Sequence, residues 1–162
     1  MKKYLKILMI LLISIIYPGG IHAQTGEELD NATGTSMMPI VNSLVDVVKA
    51  IEQSDVEIVH IEFDLIFENG KKEIFRTLSQ GYTYGMMAYG DYRLGNVGID
   101  LYTESEDSWE YVQSGQLTEG TMTLLYKVEE TRQYKIVLRP LEFKEGYTAG
   151  HYGLVIIHDV LN

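Results

Sequence analysis

The chain changes its hydrophobic period once. From Pro39 to Gln53 the apolar positions Ile40, Val41, Leu44, Val45, Val47, Val48 and Ile51 fall on one side of a 3.6-residue helix, with Asn42, Asp46, Lys49 and Glu52 mostly opposite. This predicts an amphipathic helix over 39–53, with Pro39 in its first turn and Thr35 or Ser36 as the cap. Valines are indifferent helix formers, so the face of Ile40, Leu44, Val47, Val48 and Ile51 needs a surface to bury against.

Beyond Ser54 the period falls to two. Val59, Ile61, Phe63, Leu65 and Phe67 alternate with His60, Glu62, Asp64 and Ile66, the signature of a strand with one apolar and one mostly polar face. Asn69-Gly70 predicts a turn into a second strand, Lys72–Leu78. Six more strand-like stretches follow, at 82–89, 97–102, 109–112, 121–128, 134–138 and 152–157, separated by Gly-Asp, Glu-Gly and Ala-Gly pairs. Eight short strands at roughly ten-residue spacing and no second helix predict a mainly β fold. The expected form is an antiparallel, jelly-roll-like β-sandwich with one N-terminal amphipathic helix across an edge or end.

The first 23 residues belong to a different object. Lys2, Lys3 and Lys6 form a basic start, Leu5 to Ile16 is nearly all apolar and is broken by Tyr17-Pro18-Gly19-Gly20, and Ala23 offers a small residue at a cleavage point. Residues 1–23 read as a bacterial secretory signal peptide, with an apolar run of about a dozen residues that is too short to span a bilayer. Residues 24–36 carry Glu27, Glu28 and Asp30, are poor in large apolar side chains, and read as a flexible acidic leader. Residues 37–162 then form a single β-sandwich domain, exported to the periplasm or the medium, with no membrane span left after cleavage.

Composition narrows the partners. Lys and Arg number 13 against 23 Asp and Glu, a net charge of -10, so nucleic acid and anionic lipid would be approached against their own charge. Losing the signal removes three lysines and makes the remainder more acidic still. There is no cysteine, which excludes disulfides, thiolate metal sites, a cysteine nucleophile and a lipid-modified N-terminus. An exported chain without disulfides must be held by core burial alone, and 46% hydrophobic residues supply the material.

The run from Gly81 to Ile157 carries Gly81-Tyr82-Thr83-Tyr84, Ala88-Tyr89-Gly90-Asp91, Ile99-Asp100-Leu101-Tyr102, Gln133-Tyr134-Lys135-Ile136-Val137-Leu138 and Gly150-His151-Tyr152-Gly153-Leu154. In this it resembles the bacterial pre-peptidase C-terminal β-sandwich domains, about half the chain being covered. Arg132-Gln133 stand where that family usually has a glycine before the strand, and no peptidase is visible in these 162 residues. The resemblance implies an accessory, non-catalytic sandwich exported with or beside hydrolases, and implies no reaction.

Three groups of residues could carry chemistry. Asp91, Asn96 and Asp100 flank an expected loop from Gly90 to Gly98, an oxygen-rich setting that suits Ca²⁺, although Asp and Asn equally serve as backbone-capping turn residues. His60, Glu62 and Asp64 share one strand face and could ligate a divalent metal, or simply be a solvated or helix-covered face. Trp109, the only tryptophan, and Tyr111 lie on one strand among Glu104, Glu106, Asp107 and Glu110. An exposed aromatic pair of this kind binds the apolar face of a sugar ring, whereas a buried one is only core.

A glycosidase pair could be drawn from the same acids, but acid-rich hairpins supply many accidental pairs. His151 and His158 lie outside any recognisable nucleophile or zinc motif. The sequence therefore reads as a non-catalytic binding or assembly module of the cell envelope, with an envelope protein or a glycan as partner and no required cofactor. Its alternatives are a carbohydrate-binding module using Trp109 and Tyr111 and a calcium-stabilised accessory domain.

Overall fold

The computed structural model describes residues 37–118 and 120–159. The signal peptide and acidic leader expected at 1–23 and 24–36 lie outside the described residues. The helix α1 spans Met38–Glu52 with Pro39 in its first turn. Its N-cap position is Met37, which makes no side-chain cap, and Thr35 and Ser36, expected as the cap, lie outside the described residues. Burial substitutes for it: Ile40, Leu44, Val47 and Ile51 are all at most 8% exposed.

Among the described residues nine strands follow: β1 Val56–Phe67, β2 Lys72–Leu78, β3 Thr83–Gly90, β4 Leu94–Ser105, β5 Ser108–Ser114, β6 Gln116–Thr118, β7 Thr121–Lys127, β8 Arg132–Phe143 and β9 Ala149–Asp159. The additional one is β6, three exposed residues paired to β7, too short to show a period. The strands form two antiparallel sheets, in the orders β1-β9-β3-β7-β6 and β2-β8-β4-β5. Setting β6 aside, this wrapping of successive strand pairs between two sheets is that of a jelly roll, as expected. Asn69-Gly70 does form a turn, with Gly70 N–H donating to the Phe67 carbonyl at 2.8 Å. It closes no hairpin, because β1 and β2 belong to different sheets.

The main core lies between the sheets and includes Ile66, Leu78, Met86, Ile99, Leu101, Ile136, Tyr152, Leu154 and Ile156. A second apolar layer lies on the outer face of the five-stranded sheet, where α1 packs Ile40, Leu44, Val47 and Ile51 onto Val56, Met87, Tyr89, Val155 and Ile157. The helix thus covers a sheet face and not an edge or end. Strands β3 and β9 are buried on both sides, which is why they read as nearly continuous apolar runs. Glycine makes the second layer possible at one point: a Cβ on Gly153 would stand 2.7 Å from Cζ of Tyr89, whose ring lies against the β9 backbone.

In β1 the alternation is real but its sense is inverted. Among the inward-pointing residues, His60, Glu62 and Asp64 meet the edge strand of the other sheet. Arg76 Nη2 donates to His60 Nδ1 at 2.9 Å, and Lys72 is bonded to Asp64. Arg76 Nη2 also stands 3.3 Å from His60 Nε2, which lies 3.2 Å from Glu62 Oε2, while Glu62 Oε1 accepts the buried Tyr152 hydroxyl. The apolar set points outward: Ile61 packs on the helix layer, while Val59, Phe63 and Phe67 are 39%, 42% and 60% exposed. At a sandwich edge the space between the sheets opens to water, so the Lys72–Asp64 ion pair and the Arg76–His60 hydrogen bond close it at less cost than apolar side chains left half wet.

Candidate functional site

The outer face of the four-stranded sheet, opposite the side covered by α1, gathers the aromatic residues. Period-two alternation sends Ile74, Leu101 and Ile136 into the core and their neighbours out. Strand register then aligns Phe75 (β2), Lys135 (β8), Tyr102 (β4) and Tyr111 (β5) in one cross-strand row. The adjacent row is Glu73, Val137, Asp100 and Ser114. On the other side Glu104 stands opposite Trp109.

A β-bulge creates this arrangement. Along β4 the partner of Leu101 is Gln113 and the partner of Tyr102 is Tyr111, so Val112 is the extra residue. In an unbroken register starting from Ser114 on the outer face, Trp109 and Tyr111 would point inward. The bulge shifts the parity by one and turns both rings outward, while Val112 packs on the core.

The rings form a tilted cluster around one ammonium group. Phe75 and Trp109 are 5.4 Å apart between centroids at 55°, and Tyr102 and Tyr111 are 5.8 Å apart at 75°. Lys135 Nζ lies 4.9 Å from the Tyr102 centroid and 5.1 Å from that of Trp109. Tyr111 remains 59% exposed and Phe75 42%.

A hydrogen-bond chain fixes Tyr111. Asp100, only 7% exposed, accepts Arg139 Nε at 2.8 Å and also the Ser114 hydroxyl. Having given its proton to Asp100, Ser114 Oγ accepts from Tyr111 Oη at 2.9 Å. Burial pushes the Asp100 carboxyl up, but the bonds from Arg139 and Ser114 outweigh it and hold it below the usual carboxylate range. At the margin Lys71 bonds Glu73 at 2.7 Å and lowers its carboxyl. Beyond Lys71 and Arg139 opens a shallow groove of about 450 Å³, floored by Asn69, Gly70, Leu141 and Phe143.

Of the residues singled out in the sequence, Trp109 and Tyr111 share this face, and of their four acidic neighbours Glu104 stands beside Trp109. Glu106 and Asp107 form the β4–β5 turn, with Glu106 at φ +43°, and Glu110 is bonded to Ser105. Phe75, Tyr102 and Lys135 were not singled out, because only strand register brings them to the site.

Asp91, Asn96 and Asp100 are not brought together. The expected loop from Gly90 to Gly98 is only three residues long, since β3 ends at Gly90 and β4 begins at Leu94. Asn96 and Asp100 stand about 13 Å apart along that strand, too far to share an ion. Asp91 is buried, its Oδ2 taken by Arg93 Nε and the His151 backbone N–H, both at 2.9 Å, and its Oδ1 by the Arg93 backbone N–H at 2.9 Å. Among the described residues, no three His, Asp or Glu side chains are grouped as a metal site. His158 Nδ1 bonds the Asp159 carbonyl, and its ring packs on Tyr82 and Tyr84. No described helix is long and apolar enough to cross a membrane.

No family model matches the chain, and no curated protein does. Among solved structures it is similar to the periplasmic inhibitor of g-type lysozyme PliG from Aeromonas hydrophila, with a TM-score of 0.48 and 9% identity over 62% of this chain and 85% of that one. It is similar to the pre-peptidase C-terminal domain of a collagenase from Bacillus anthracis, at 0.46 and 12% over 60% and 87%. A mitogen from Yersinia pseudotuberculosis is similar at 0.42 and 13%, over 65% and 87%. A pre-peptidase C-terminal domain, the family that residues 81–157 resemble, is thus among the similar structures, and the likeness assigns no reaction.

Proposed function

We propose that this chain is an exported, non-catalytic binding module of the bacterial cell envelope, and that it engages its partner through the outer face of the four-stranded sheet. The observation that carries the reading is the set of rings held there. Phe75 and Tyr111 stay in water although the fold has a full core elsewhere, and Tyr111 is oriented by a hydrogen-bond chain ending on the Asp100–Arg139 pair. Rings held rigid and half exposed are the kind of side chain that dominates binding energy. Two acids of the face are engaged by cations, Asp100 with Arg139 and Glu73 with Lys71, which suits contact with a ligand better than proton transfer to one.

A second reading, carbohydrate binding by Trp109 and Tyr111, is favoured by the Asp100–Arg139 pair beside Tyr111, since such a pair offers a hydroxyl both an acceptor and a donor.

Co-sedimentation of residues 24–162 with envelope fragments of the bacterium that encodes the protein tests the face. The wild type is expected in the pellet, and a Phe75→Ser, Tyr111→Ser double variant in the supernatant with its melting temperature kept. Equal pelleting of the two proteins sinks the proposal.

A further inference from the structure

We infer that the ligand of this face is a saccharide bearing an isolated carboxylate, which is received by Lys135. The inference rests on the binding-face reading above and names the ligand class for it.

Three cations border the face, and two are closed by acids: Lys71 on Glu73 and Arg139 on Asp100. Lys135 differs. Its ammonium lies over the rings of Tyr102 and Trp109, and among the described residues no carboxylate is hydrogen-bonded to it, Glu73 feeling its charge only at a distance. Carboxylates are in surplus in this chain, 23 acids against 13 bases, and Glu73 and Glu104 stand on the same face. A ring face attracts the charge but takes up none of the ammonium's hydrogen-bonding capacity in the way a carboxylate would. The group is therefore positioned to donate to an incoming anion.

The chemistry of the face favours a saccharide over a protein: half-exposed rings stand beside a fixed acceptor–donor pair, Asp100 with Arg139, the combination that meets the C–H face and the hydroxyls of a sugar. A short saccharide fits: its C–H faces rest on Tyr111 and Trp109, its hydroxyls meet the Asp100–Arg139 pair, and its carboxylate meets Lys135. The surrounding charge selects further. Glu104, Glu106 and Asp107 are exposed beside Trp109, so a polyanion with a charge on every unit is repelled, whereas one carboxylate in two sugars is not.

The test is titration of residues 24–162 by the emission of Trp109, the only tryptophan. The probes are a peptide-free tetrasaccharide of alternating N-acetylglucosamine and N-acetylmuramic acid, a hyaluronan tetrasaccharide, the methyl esters of both, and a Glu-rich octapeptide. At least one acid saccharide is expected to saturate, with its ester roughly tenfold weaker, the scale of one charge-assisted hydrogen bond. Lys135→Met, which keeps the stem over the rings, is expected to bind acid and ester alike, and Lys135→Arg to restore the preference.

Equal binding of acid and ester by the wild type overturns the proposal, as does a preference that survives Lys135→Met, or saturation by the octapeptide alone. If no saccharide moves Trp109 while envelope retention still depends on Phe75 and Tyr111, the anion site falls and the binding face stands. If retention ignores the face, both fall.

Discussion

Asp100→Asn separates the electrostatic part of the site from its shape. The carboxylate is buried and accepts from Arg139 Nε and the Ser114 hydroxyl, whereas Arg139 itself is half exposed. Asparagine fills the same volume and keeps one acceptor for Ser114, but presents a neutral amide to the guanidinium. A charge-assisted bond contributes about 1.5–3 kcal/mol in a protected setting. Here Arg139 regains water when its partner is neutral, so the larger penalty of stranding a buried charge does not apply. The expected loss at pH 7 is about 1–2 kcal/mol, or roughly 4–8 °C in melting temperature for a domain of this size.

The pH dependence gives the sharper check. The carboxyl of Asp100 is held below its ordinary value in the folded state. Its stabilising contribution is therefore complete above the unfolded carboxylate pKa of about 3.9 and disappears as pH falls through the lower folded value. Urea unfolding of wild type and variant, followed by Trp109 emission, should show a gap that is constant from pH 7 to 5 and narrows below pH 4. A gap of the same size at pH 7 and pH 3 would refute the charge argument and leave only packing.

Two further outcomes follow from the same contacts. Glu62→Ala removes the acceptor of the fully buried Tyr152 hydroxyl and is expected to cost about 1–3 kcal/mol in urea unfolding, with Glu62→Gln losing less than half of that; equal losses in the two variants would show that the hydroxyl does not need this partner. Because Asp91 is closed by Arg93 and Asp100 by Arg139, the melting temperature of residues 24–162 should be the same in chelator and in millimolar Ca²⁺, and a rise of several degrees with Ca²⁺ would reopen the calcium reading.

Much of the fold could be read because periodicity is local. The helix at 39–53 and the expected strands all appear, with ends moved by a few residues and β6 added. What periodicity cannot say is which face of a strand looks inward. In β1 the apolar residues face out, a reversal set by the strand's place at the sheet edge beside Lys72 and Arg76. The jelly-roll type followed from the number and spacing of strands, whereas the seat of the helix did not. Both faces of β3 and β9 are apolar, and only the sheet order reveals that these two strands lie side by side under α1.

The site shows the same division. Trp109 and Tyr111 could be named from residue type and spacing, yet their outward direction depends on the bulge at Val112, which is a property of the β4–β5 pairing. Phe75, Tyr102 and Lys135 come from three separate strands and meet only through register. The consequence reaches function. Each sheet of a sandwich has one face for the common core and one face left over. The five-stranded sheet spends its outer face on α1, with Met87, Tyr89, Val155 and Ile157 buried beneath it. The four-stranded sheet has no described element over its outer face, and there the rings stand tilted, half exposed and tied to fixed polar groups instead of packed away. Rings left half exposed, with Tyr111 oriented by three successive hydrogen bonds, are what supports the proposal that this sheet binds a partner while the outer face of the other serves stability.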